Sequence, residues 1–170
     1  MKRTILGIIL CIITFGIAQS QNLSTYISDL VNIENVQRQV IDKSMIKISV
    51  ETAKAMDPSG KLLEQIPPFM LKLDTIDILD LTQCAPFVKT DFMQRFNSST
   101  EEEGYEMLLS ADEDNDRVRI FSKADGDITR EMIILAVDTE NQEIVVLRLT
   151  GELDPSDVKK IVDQPSQITG

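Results

Sequence analysis

From Tyr105 to Thr150 the chain is a succession of strand-length runs, some alternating apolar with polar residues and some apolar throughout, separated only by short polar turns. From Tyr105 to Ala111, the residues Tyr105, Met107, Leu109 and Ala111 share one phase, with Glu106, Leu108 and Ser110 between them. Arg117–Lys123 alternates again, and the apolar runs Ile128–Val137 and Glu143–Thr150 follow. Period-two patterning of this kind places successive side chains on opposite faces of a strand. The breaks are Asp112-Glu113-Asp114-Asn115, Asp125-Gly126 and Thr139-Glu140-Asn141-Gln142. Parallel neighbours need crossovers of a dozen or more residues, and these turns are too short for that. Four consecutive strands therefore form an antiparallel meander, with Asp125-Gly126 as a two-residue hairpin signal.

The first half mixes helix and strand. Leu23, Tyr26, Ile27, Leu30 and Val31 make a helical stripe over Leu23–Asn32. Asn35–Asp42 reads as a short strand with Val36 and Val40 on one side. Ser44 then opens a helix over Met45–Met56, which carries Met45, Ile48, Val50 and Thr52; the β-branched residues leave a strand as the alternative. Asp57-Pro58-Ser59-Gly60 breaks the chain, and Leu62–Met70 is a connector containing Pro67-Pro68. Thr75–Leu81 reads as a strand, with Ile76 and Ile78 on one side and Leu79 and Leu81 on the other. Pro86 begins a helix to about Asn97 with Val88, Phe92 and Phe96 inward, and Asn97–Gly104 is a solvated loop. Asp154 caps a last helix whose first residue is Pro155, with Val158, Ile161 and Val162 as its apolar face. The expected architecture is α+β: a two-layer sandwich in which helices pack on one face of a mostly antiparallel sheet ending in a four-stranded meander.

The N-terminus carries an address. Lys2 and Arg3 precede an apolar run from Ile5 to Ile17, followed by Gly16, Ala18, Gln19 and Ser20, the pattern of a cleavable secretory signal peptide. The run is shorter than the roughly 20 apolar residues of a membrane span. A cut after Ala18 or Ser20 fits equally. The expected organisation is a signal peptide over 1–20, one α+β domain over 21–163 and a flexible tail over 164–170. The mature chain is then periplasmic or secreted and has no transmembrane helix. Cys11 lies within Ile9-Leu10-Cys11-Ile12, without the small residues a lipidation site requires, and reads as apolar filler. Cys84 is then the single cysteine of the mature chain and reads as buried.

Composition narrows the chemistry. The chain has 170 residues, no His and a formal net charge of −11, which becomes −13 once the leader takes Lys2 and Arg3 with it. Without His there is no Ser-His or Cys-His nucleophile and no His-ligated metal. The acidity argues against nucleic acid, whose phosphates such a surface would repel. No cofactor or metal is expected.

The motifs that remain each have a plain structural explanation. Ser44-Met45-Ile46-Lys47 matches S-x-x-K, in which a desolvated Lys serves as base for the Ser. The companion S-D-N and K-T-G elements are absent, and Ser44 fits a helix cap with Lys47 on the surface. Asp112, Asp114 and Asp116 start like a calcium loop, but the sixth and twelfth positions are Arg117 and Lys123, which repel the ion. Asp74, Asp77 and Asp80 are carboxylates for a glycosidase by number alone, and alternation puts Asp77 and Asp80 on opposite faces. Phe87, Phe92, Met93 and Phe96 fit an apolar ligand pocket, or more simply a helix packed on a sheet. Arg117, Arg119, Phe121 and Lys123 share one strand face that is basic and partly apolar on an acidic protein. This is the candidate interaction face; it fits an anionic partner, or it pairs with acids on neighbouring strands, and the second reading outweighs the first.

In their order and spacing, several stretches are similar to the domain of unknown function 4252 family of small exported proteins of Gram-negative bacteria. They are Asp42-Lys43-Ser44-Met45, Lys72-Leu73-Asp74-Thr75-Ile76-Asp77-Ile78-Leu79, Glu103-Gly104-Tyr105-Glu106-Met107-Leu108, Arg130-Glu131-Met132-Ile133-Ile134-Leu135 and Ile144-Val145-Val146-Leu147-Arg148-Leu149-Thr150-Gly151-Glu152-Leu153. The resemblance covers about residues 23–163. It implies an exported bacterial domain with no established activity and brings no catalytic or binding residues. Some members look like lipoproteins, and this chain departs from them in lacking the lipidation cysteine. The expected function is a non-enzymatic periplasmic or secreted interaction or regulatory domain, with an envelope protein as its possible partner. The alternatives are a small-ligand carrier with a pocket between helices and sheet, and a Ser44/Lys47 hydrolase.

Overall fold

The computed structural model describes residues 23–163, apart from positions 58 and 65. The leader, Cys11 and the tail from Gln164 lie outside the described residues. The chain begins with α1 (Leu23–Asp29), which runs into a 3-10 turn at Leu30–Asn32. Asn35, in the left-handed region at φ 68, reverses the chain into β1 (Gln37–Asp42). Then α2 (Lys43–Met56), a single turn α3 (Lys61–Glu64) and a 3-10 turn (Pro68–Lys72) lead to β2 (Leu73–Asp80). α4 (Pro86–Glu102) precedes the meander of β3 (Glu106–Glu113), β4 (Asp116–Asp125), β5 (Ile128–Asp138) and β6 (Glu143–Leu153), and α5 (Pro155–Asp163) closes the described chain.

The six strands form one antiparallel sheet in the order β1-β2-β6-β5-β4-β3. The meander is as the alternation requires. Its last strand accepts β2 on its far side, and β1 completes that edge. The α+β class and the antiparallel sheet stand as expected, but the helices are not confined to one face. Leu79, Leu81, Phe121, Ile133, Leu135 and Val146 face α1 and α4, packing with Leu23, Ile27, Phe92 and Phe96. The alternate residues Ile76, Ile120, Met132, Ile134, Leu147 and Leu149 face the other way, against Ile46 of α2, Phe69 of the 3-10 turn and Ile161 of α5. A strand that is apolar at every position from Met132 to Leu135 has no polar face to leave in water, so both sides of the sheet must be covered.

Two boundaries differ from expectation for local reasons. α2 starts at Lys43, one residue before Ser44, because Asp42 is the cap and its Oδ1 accepts the Met45 amide at 2.9 Å. α4 continues past Asn97 to Glu102. The hydroxyls of Ser98 and Thr100 donate back to the carbonyls of Gln94 and Phe96, each at 3.1 Å, and so serve the helix rather than a turn. Gly104, at φ 71, ends it, with the Tyr105 amide donating to the Thr100 carbonyl. α5 begins as expected: Asp154 Oδ1 accepts the amides of Ser156 and Asp157 at 2.9 and 3.1 Å.

Candidate functional site

On β4, alternation does place Arg117, Arg119, Phe121 and Lys123 on one face. Phe121 lies beneath α4, only 6% exposed, with its ring edge-on to Phe96 at 5.4 Å. The cations beside it are paired within the chain. Arg117 Nε donates to Asp112 Oδ1 at 2.8 Å, and Arg119 reaches the same carboxylate at 3.3 Å. These bonds, that to Arg119 foremost and then that to Arg117, hold the Asp112 carboxyl below the usual carboxylate range. Lys123 Nζ lies 3.4 Å from Glu103 Oε2 and 5.0 Å from the centre of the Tyr105 ring. The pairing with acids from neighbouring segments accounts for all three cations.

Lys123 also belongs to a row of alternating charge that sequence reading missed. On the aromatic face of the sheet, Arg38, Asp77, Arg148, Glu131, Lys123 and Glu103 follow one another from β1 across to the approach to β3. Asp77 is directly opposite Arg148 in the ladder, and Lys123 is opposite Glu131. Arg38 holds Asp77 with both nitrogens, Nε at 2.7 Å and Nη2 at 2.6 Å, and Arg148 Nε donates to Glu131 at 2.6 Å. The start of α1 sits on this row, where the Leu23 amide donates to Glu103 and Arg148 donates to the Ser24 hydroxyl. The Tyr105 hydroxyl is buried beside it with no hydrogen-bond partner among the described residues. Burial, then the nearby Glu131 and Glu103 carboxylates, push its ionisation well above the ordinary phenol range. Arg38 thus occupies both oxygens of Asp77, and the Tyr105 phenol is held protonated. This row aligns strands and seats α1.

The other sequence candidates are scattered. Ser44 is exposed and donates to its neighbour Asp42 at 2.5 Å, and Lys47 is exposed, so nothing desolvates the amine. Asp74 pairs with Lys43 at the surface, Asp77 belongs to the row, and Asp80 accepts the Thr82 amide. Among the described residues, no group of three or more acidic or Cys side chains is arranged to hold a metal. Cys84 is buried and free, and burial raises its thiol pKa. Phe92 and Phe96 are core. Phe87 points outward, 75% exposed, beside a mostly apolar cleft of about 500 Å³ whose walls include Ile33, Ala85 and Val88.

A further set of exposed apolar side chains lies on α2. Ile46, Val50 and Ala53 face the sheet, while Met45, Ile48 and Met56 are exposed. At 100° per residue, Met45, Ile48, Thr52 and Met56 fall on one flank of α2. Lys43, Lys47 and Lys54 fall on the other, and among the described residues no carboxylate pairs with Lys47 or Lys54.

An open antiparallel sheet covered by helices on both faces, with its inward charges paired, defines the class: a small α+β domain. The chain belongs to the domain of unknown function family DUF4252, whose model matches residues 28–161. No curated protein and no solved structure matches it. Among the described residues, no helix is long and apolar enough to cross a membrane.

Proposed function

We propose that this protein is an exported, non-enzymatic interaction domain that acts in the periplasm or outside the cell and docks through the exposed apolar flank of α2. The observation that carries this reading is that flank, with Ile48 61% and Met56 75% exposed on an otherwise well-packed domain. The residues that suggested chemistry support it from the other side: Ser44, Lys47 and the carboxylates of β2 are solvated or held in ion pairs. The export reading rests on the leader pattern over residues 1–20.

The test is mild crosslinking of the tagged protein in its native envelope, comparing the wild type with Ile48→Glu and with Arg119→Glu. Loss of a stoichiometric crosslinked species in Ile48→Glu, with Arg119→Glu unchanged, supports docking through α2. The reverse pattern would move the contact to β4. N-terminal sequencing of the processed chain should begin at Gln19 or Gln21. Turnover of ester, peptide or glycoside substrates, abolished by Ser44→Ala, would sink the non-enzymatic reading.

One observation favours a second reading, the small-ligand carrier. The space between α4 and the sheet is filled by Phe92 and Phe96, but the cleft beside Phe87 is apolar and open. A ligand that raises the melting temperature of the wild type and not of Phe87→Ser would shift the weight to it.

A further inference from the structure

The two edges of the sheet differ. A strand edge presents unpaired backbone amides and carbonyls, and proteins ordinarily guard it with charges, bulges or a covering element. β3, at one edge, is guarded twice. Its register slips between Met107 and Leu109, and it carries exposed Glu106 and Glu113. β1, at the other, pairs with β2 over six residues without a slip. Its two charges do not guard it, because Arg38 turns in to Asp77 and Asp42 turns back to cap α2. Gln37, Gln39, Val40 and Ile41 remain, and among the described residues no strand pairs with the outer side of β1.

The apolar flank of α2 lies along the same border. Lys43, on the opposite flank, reaches inward to Asp74 of β2. Met45, Ile48 and Met56 therefore lie on the side of α2 away from the sheet centre, beyond β1. We infer that β1 and this flank of α2 pair with a second copy of the same chain, joining two six-stranded sheets edge to edge and packing α2 against its symmetry mate.

Charge argues for a second copy. A two-fold contact sets each surface against itself, so it must avoid the acidic surface of this chain. The residues that would meet, Gln37, Gln39 and Val40 of β1 and Met45, Ile48 and Met56 of α2, carry no charge, whereas the whole chain stands at −11. The side chains of Val40, Met45, Ile48 and Met56 expose roughly half of the ~800 Å² per partner of a standard interface, and the strand edge adds to it.

This inference rests on the reading of α2 as the contact surface, and the test separates the two. The full processed chain is run by sedimentation velocity from about 1 to about 100 μM, a range that spans ordinary micromolar association. The expected result is a concentration-dependent dimer. Val40→Lys on the strand and Ile48→Glu on the helix should each weaken it at least about tenfold (about 1.4 kcal/mol). Met107→Glu at the opposite edge should leave it unchanged. All three positions are solvated, and circular dichroism checks that each variant is folded. A monomer throughout, or a dimer indifferent to both substitutions, overturns self-pairing. A monomer whose envelope crosslink is still lost in Ile48→Glu overturns only the self-pairing and leaves the interaction reading standing with a different partner.

Discussion

Removing the Asp77 carboxylate should be among the costliest single changes to a charged side chain in this fold. Asp77 is 3% exposed, and both of its oxygens are held by Arg38, at 2.7 and 2.6 Å. Arg148 lies directly across the ladder. Asp77→Ala leaves two guanidinium groups short of a counter-charge beside an apolar core. Breaking a buried pair by removing one partner costs about 3–5 kcal/mol. Arg38 stands on an edge strand with its side chain 23% exposed, so it can turn toward water and recover part of that. The expected loss is about 2–3 kcal/mol, which for a domain of this size lowers the melting temperature by about 4–12 °C. The assay is urea unfolding followed by far-ultraviolet circular dichroism, since the chain has no Trp. The double variant Arg38→Met/Asp77→Leu replaces the pair with apolar side chains and should recover most of the loss, because a buried pair gains little over a well-packed apolar one. Asp74→Ala, at the solvated Lys43–Asp74 pair, should leave the midpoint unchanged. A loss for Asp77→Ala below about 1 kcal/mol, or a double variant no better than the single one, would refute the claim that this pair is buried and mutually dependent.

Other consequences are as direct. Gly151→Ala places a methyl 2.4 Å from the Lys72 carbonyl oxygen and 2.8 Å from Leu73 Cα, both backbone, so the start of β2 must move; unfolding should show a cost of about 1–3 kcal/mol. Burial foremost, then the Asp91 carboxylate, push the Tyr26 phenol up to about 12, so its contribution to stability is complete below pH 10 and fades as the pH rises through 12. Tyrosinate absorbance should accordingly stay low through pH 10 in the native protein and appear there in urea. Asp154 is held well below the usual carboxylate range, first by Lys72 and then by Ser156, so its contribution is present above the ordinary carboxylate pKa and is lost as the pH falls from there toward the native value. Acid unfolding of Asp154→Asn should therefore show a shallower fall in stability below about pH 4 than the wild type. Cys84, buried under the turn at Glu34, should react with a thiol reagent slowly in the folded chain and at full rate in urea.

The parts of this fold that were legible in the sequence are those whose cause is local. A hairpin is specified by its own turn and its own alternation, so the meander could be read from Tyr105 onward, and Asp154-Pro155 announced α5 by the same local logic. The pairing of β2 with β6 joins residues about seventy apart in the chain and leaves no local mark. A signal for the second covered face did exist. Met132-Ile133-Ile134-Leu135 has no polar alternate, and Ile76 and Ile78 oppose Leu79 and Leu81 on β2. The alternation of β4 put its cations on one face correctly, but alternation cannot say what lies above a face. Asp112 and Glu103 meet those cations from other segments, and Phe121 anchors α4 between them. The same ambiguity hid the surface of α2. Met45, Ile48 and Thr52 keep helical spacing as faithfully as Ile46, Val50 and Ala53 do, and their stripe is turned by about 100° from the inward one. Periodicity shows that a helix has an apolar stripe, and the sheet beneath it decides which stripe is buried. On α2 the sheet takes Ile46, Val50 and Ala53 and leaves Met45, Ile48 and Met56 exposed.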